Sequence, residues 1–222
     1  MKKILFLHDT DTSLKRGAEL TITQLVVLCN QLGYLVTVDL LTNFDLTISK
    51  INESDLIVLN STSRCRFEKK LLRYLIVEKI NYIKIEFDYN FCIRRNILCT
   101  VDRGIRNCCD NEKYHLYHHV FANAKLNAFQ SPKHYQDHFE FYGESVANKI
   151  IMPPTVEVDK LQISENKNET VIPFFGDLSY LKGGESLLDY ALENPQFTFQ
   201  VYGENELRRD LPTNVFLNAY VS

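Results

Sequence analysis

Short apolar runs alternate with amphipathic stretches along most of this chain. The run Ile4–Leu7, bounded by the polar residues Asp9 to Lys15, predicts a buried parallel strand leaving its sheet at a loop. From Gly17 onward, Leu20, Ile22, Leu25, Val26, Leu28, Cys29 and Leu32 recur at helical spacing, and Gly33 stands where a left-handed C-terminal cap belongs. Leu35 to Leu41 alternates and is β-branched, so it predicts a second strand. A strand, a helix and a strand in that order demand a parallel pair joined by a crossover.

The same grammar repeats. Leu56–Leu59 reads as a strand ending in Asn60-Ser61-Thr62-Ser63, and Phe67, Leu71, Leu72, Leu75 and Ile76 mark a helix. Tyr82 to Phe87 is a fourth strand, followed by a polar stretch from Asp88 to Lys113 with no clean period, the kind of long irregular segment that carries function. Tyr114 to Ala124 predicts a helix and Leu126 to Gln130 a strand. Ser131-Pro132 supplies an N-cap and first-turn proline for a helix ending near Gly143. Ile150 and Ile151 lead into Pro153-Pro154, and the polar run Gln162 to Thr170 reads as a linker. Beyond it come a strand (Val171–Phe175), a glycine-containing loop (Gly176–Gly184), a helix (Glu185–Leu192) and two strands (Phe197–Tyr202, Val215–Leu217). The fold class is therefore α/β: a Rossmann-like parallel-sheet domain over residues 1–161 and the first part of a second over 170–222.

Composition narrows the function classes. With 222 residues, 45% hydrophobic and 24% charged, the chain has the make-up of an ordinary folded protein. Its net charge of -3 gives no basic footprint for a phosphate backbone, which argues against nucleic acid as partner. The N-terminal apolar run is too short for a signal-peptide core or a membrane span. Six cysteines in a chain of this size, without an export signal, fit reduced thiols in a cytoplasmic protein. Peripheral contact with a membrane stays open, and the sequence is silent on oligomeric state.

Several segments taken together resemble retaining GT-B glycosyltransferases of the glycosyltransferase group 1, or family 4-like, type. Arg16-Gly17-Ala18-Glu19 stands where that family carries a G-G-A-E loop after its first strand. Asn127-Ala128-Phe129-Gln130-Ser131 is similar to its strand ending in serine, and Lys149 to Glu157 (KIIMPPTVE) to its strand into a P-N-G-V-D turn. Pro173 to Gly184 (PFFGDLSYLKGG) resembles the V-G-R-L-x-x-x-K-G loop opening the nucleotide-sugar domain, and Phe199 to Glu204 (FQVYGE) the next strand and turn.

The resemblance implies a GT-B-like fold and transfer of a sugar, with retention, from a nucleotide-diphosphate sugar to an acceptor, without metal or other cofactor. It implies a donor site at Gly17, Gly176, Lys182, Gly183, Gly203 and Glu204, in which Lys182 offsets charge on the departing diphosphate. Glycines at strand ends let backbone N–H groups approach phosphates. On the acceptor side, Glu86 and Asp88 would orient or deprotonate a hydroxyl, and Arg94 and Arg95 would hold a phosphate. Asp88 and Lys182 are the catalytic candidates. Departures accompany the likeness. Asp177 replaces an arginine, Arg16 and Thr155 replace glycines, and Phe87 holds the place of a histidine. The family's E-x-x-x-x-x-x-x-E segment would fall beyond Ser222, so the donor domain reads as short. A non-catalytic or partner-dependent binding module of the same descent is therefore the alternative. A third reading takes Cys92, Cys99, Cys108 and Cys109, followed by His115, His118 and His119, as zinc ligands of an interaction protein. The spacing lacks C-x-x-C, which favours buried free thiols.

Overall fold

A computed structural model describes residues 1–14, 17–91, 111–154, 170–179 and 182–218. The chain divides into two compact units, Met1–Val156 and Glu157–Ser222. In the first unit, strands β1 (Lys3–Leu7), β2 (Leu35–Asp39), β3 (Leu56–Leu59), β4 (Tyr82–Glu86), β5 (Leu126–Phe129) and β6 (Lys149–Ile151) form one sheet of order β2-β1-β3-β4-β5-β6. Every pairing in it is parallel. The unit's α-helices among the described residues are α1 (Gly17–Gln31), α2 (Phe44–Asn52), α3 (Glu68–Val77), α4 (Asn111–Asn123) and α5 (Pro132–Tyr142).

The period-2 alternation of the strands divides the core into two layers. Leu5, Leu7, Ile57, Leu59, Tyr82 and Phe129 face Leu71, Leu72 and Leu75 of α3, Tyr117, Val120 and Phe121 of α4 and Tyr142 of α5. Ile4, Phe6, Val58, Ile85 and Ala128 face Ile22, Leu25, Val26 and Cys29 of α1. The chain runs one way from β1 to β2 and the other way to β3, which makes the β1/β3 pair the topological switch point where open α/β sheets bind ligands.

Two features differ from the sequence reading. Helix α2 stands in a stretch for which no element was assigned; Asn43 caps it, its side chain accepting the Leu46 N–H at 3.1 Å. Leu20 and Leu28 of α1 and Leu32 just after it are 43%, 49% and 74% exposed. The buried stripe is Ile22, Leu25, Val26 and Cys29, spaced i, i+3, i+4, i+7, and a helix apolar on several sides does not reveal which stripe meets the sheet. Gly33 does take the left-handed conformation, with φ +83°.

In the second unit, β7 (Val171–Phe175), β8 (Thr198–Tyr202) and β9 (Val215–Asn218) form a parallel sheet of order β7-β8-β9. Helix α6 (Gly184–Glu193) buries Leu188 and Ala191 against Phe199, Val201 and Val215.

Candidate functional site

At the end of β1, His8 Nε2 lies 3.3 Å from Glu19 Oε1 on the first turn of α1, both groups almost fully buried. Sequence reasoning passed over this pair. Glu19 counted only as part of a loop motif, and the strand-to-helix return that brings it to His8 has no signature in spacing. Asp9, next along, organises the end of β3: its Oδ2 accepts the Arg64 N–H at 2.7 Å and the Ser61 hydroxyl at 3.2 Å. The Asn60 backbone and side-chain N–H groups both donate to the Leu7 carbonyl, at 3.0 and 3.2 Å, so the two strand ends at the switch point are cross-tied. Gly17 opens α1 in an exposed position, and a Cβ there would meet nothing within 4 Å. Packing therefore does not require this glycine.

Strand β4 carries two buried charged residues. Lys84 and Glu86, two residues apart, point into the same layer of the core and pair at 2.7 Å with each side chain 1% exposed. Lys84 Nζ also donates to the Asn60 and Ile85 carbonyls at 3.1 and 2.9 Å. Burial alone would raise the Glu86 carboxyl; Lys84 and the Asn90 N–H reverse this and hold it below the usual carboxylate value. Glu86 was expected at a cleft-facing strand end. The structure instead turns it under the sheet as the buried partner of Lys84, where its carboxylate does not face an acceptor. The alternation of β4 places Tyr82, Lys84 and Glu86 on one face, a signal the sequence contained.

Asp88 lies half-buried beyond the carboxyl end of β4, in the turn that α5 packs against. His134 Nε2 is 3.2 Å from the Asp88 carbonyl, and the Tyr89 hydroxyl donates to Asp137 Oδ2 at 2.8 Å. The Tyr89 ring stacks on His138 at 5.2 Å and 13°. Burial pushes the His138 imidazole down to about 4, so it is uncharged at neutral pH. The sheet order puts the ends of β1 and β4 two strands apart, about 10 Å, so Gly17 and Asp88 share the sheet's carboxyl edge.

The second unit gathers Gly176, Lys182, Gly183, Gly203 and Glu204 at the carboxyl ends of β7 and β8. A Cβ on Gly203 would stand 2.3 Å from the Gly176 oxygen, so the two strand ends close on each other only because that residue is glycine. Gly176 and Gly183 have φ +138° and +75°. Gly183 is the N-cap of α6, and Lys182 just before it is exposed, its Cγ 3.8 Å from where a Gly176 Cβ would stand. Asp177 has a structural task, its Oδ1 accepting the Glu204 N–H at 3.0 Å. A loop of this shape at a helix N-terminus, carrying a lysine, suits an anion.

Arg94, Arg95, Cys92, Cys99, Cys108 and Cys109 lie outside the described residues. Among the described residues, no cluster of three or more His, Cys, Asp and Glu side chains is arranged to hold a metal ion, and no helix is long and apolar enough to cross a membrane. Cys65 is a buried free thiol that burial pushes up to about 11.

No protein-family profile and no curated protein sequence matches the chain. Among solved structures it is similar to the UDP co-structure of S. aureus MnaA, with TM-score 0.54 and 11% identity over 100% of this chain and 69% of that one. It also matches the glycosyltransferase SnogD from Streptomyces nogalater, with TM-score 0.42 and 9% identity over 100% of this chain and 72% of that one. At 11% identity the likeness to MnaA is one of fold. This chain is an α/β protein with a Rossmann-like six-stranded parallel domain followed by a second parallel-sheet unit described over three strands.

Proposed function

We propose that the chain binds a nucleotide-diphosphate sugar and transfers its sugar to an acceptor with retention of configuration. The observation carrying this reading is the second unit's glycine corner, where Gly176, Gly183 and Gly203 bring two strand ends and the start of α6 together beside the exposed Lys182. Such a corner offers backbone N–H groups, the positive end of a helix and an ammonium to a diphosphate. Lys182 supplies the positive charge as the glycosidic bond breaks, so no metal is needed. Asp88, beyond β4 in the first unit, orients or deprotonates the acceptor hydroxyl. The motif resemblance adds support, and so does the solution of a structure of similar fold with UDP.

The test is release of nucleoside diphosphate from UDP-glucose, UDP-N-acetylglucosamine, ADP-glucose and GDP-mannose, with and without EDTA, and NMR of the product anomer. Turnover that survives EDTA and keeps the donor's anomeric configuration is expected. Dependence on added metal removes Lys182 from its assigned role, and an inverted product removes retention. Tight binding of a nucleotide sugar without turnover assigns the chain instead to the binding-module class. Binding of none of the four overturns the donor-site reading.

A further inference from the structure

The ladder of β4 ends at Glu86, where it pairs with Phe129, and Asp88 lies two residues beyond. Among the described residues, side-chain contacts hold the turn at residues 87–90. From below, Glu86 Oε1 accepts the Asn90 N–H at 3.1 Å and its side-chain amide at 2.5 Å. From the side, one face of α5 adds three more: His134, Asp137 and His138, spaced i, i+3, i+4, meet the Asp88 carbonyl, the Tyr89 hydroxyl and the Tyr89 ring. The protons are assigned by the partners. The Gln130 N–H donates to His134 Nδ1 at 3.3 Å, so Nε2 bears the hydrogen and donates to Asp88. His138 Nδ1–H in turn donates to the His134 carbonyl at 2.8 Å. One imidazole thus bridges the end of β5, through Gln130, to the turn that follows β4.

We propose that His134 is a positioning residue for Asp88: as the neutral Nε2–H tautomer it holds the Asp88 backbone, and so sets where that carboxylate stands relative to an acceptor hydroxyl. The inference rests on the reading of Asp88 given above. His134 touches the backbone and leaves the carboxylate's own chemistry intact. Its loss therefore misplaces the group without altering binding of the donor, and a misplacement of about 1 Å costs on the order of a hundredfold in rate.

The test compares His134→Leu with His134→Gln, whose side-chain N–H can reach the same carbonyl, in the full chain. With whichever of the four nucleotide sugars turns over, His134→Leu is expected to lower kcat roughly ten- to hundredfold while the donor KM stays within about twofold; His134→Gln restores most of the loss. Amide hydrogen exchange supplies a readout independent of turnover: His134→Leu speeds exchange at Tyr89 and Asn90 about tenfold without loosening α5, and His134→Gln does not. Equal kcat losses in both variants, or unchanged exchange in the turn, overturn the proposal. Asp88→Asn separates this from failure of the functional reading: full activity in that variant removes Asp88 from the mechanism whatever His134 does to the turn.

Discussion

Lys84 has all of its hydrogen-bonding capacity committed inside the core, to the Asn60 and Ile85 carbonyls and to Glu86. Replacing it with Met leaves Glu86 buried without its counter-charge, which costs about 3–5 kcal/mol. The double variant Lys84→Met/Glu86→Leu removes both charges and is expected to recover much of that loss; urea denaturation of the three proteins measures it. His138 gives a second test, by pH. Folded, it takes up a proton only near pH 4, whereas the unfolded chain does so at about 6.5. Between those values the unfolded state binds more protons, so stability rises with pH and is lost on acidification from 6.5 to 4, by about 3 kcal/mol. Glu86, whose pKa is lowered in the folded protein, acts in the same sense but only as the pH falls through the carboxylate range. His138→Phe is therefore expected to flatten the upper part of the pH-stability curve and leave the acid limb. An unchanged slope between pH 6.5 and 5 would show that His138 does not titrate as its burial implies.

Strands and their order of succession were legible in the sequence because a parallel strand buried on both faces must be a short apolar run. Ile4–Leu7 and Leu56–Leu59 fall where that rule puts them; Val171–Phe175 is likewise a short apolar run, though only partly buried. Helix α2 was missed although Asn43 caps it and Phe44, Ile48 and Ile51 stand at i, i+4 and i+7; nine residues make only about two and a half turns, and the exposed Leu46 breaks the stripe. At the site, the glycine corner was readable from Gly176, Gly183 and Gly203, since positive φ and close backbone approach are what glycine is for. The tertiary pairings His8–Glu19 and His134–Asp88 were not readable, since residues far apart in sequence meet there through the return of a helix to the sheet. Two glycine substitutions test this division. Gly17→Ala, placed on a helix with open space around it, should leave stability unchanged or raise it by up to about 1 kcal/mol, as read from the melting curve. Should the same variant weaken nucleotide-sugar binding, the glycine serves a ligand and not the fold. Gly203→Ala drives a methyl group into the Gly176 carbonyl and should destabilise by about 1–3 kcal/mol or more.

At the scale of the whole molecule, the two units are built to different specifications. The first has a six-stranded sheet with a core layer on each face. The second, described over three strands and α6, has one apolar cluster around Leu188, Phe199 and Val201, while Phe175 stacks on Tyr202 yet remains 73% exposed. A smaller unit buries a smaller share of its chain and is closer to the threshold of stability. Two transitions are therefore expected on heating or in denaturant, the second unit melting first. Each core substitution above should move one transition alone: Gly203→Ala the lower, Lys84→Met the upper, since residues in separate cores with no shared partner contribute additively. Tyrosine emission and far-UV dichroism can follow both steps, and the chain has 12 tyrosines and no tryptophan to obscure them. A nucleotide diphosphate that binds the glycine corner should raise the lower transition by an amount set by its concentration over Kd and leave the upper one in place. A single transition shifted equally by both substitutions would mean that the units fold as one body, and a nucleotide that raised only the upper transition would move the diphosphate site out of the second unit.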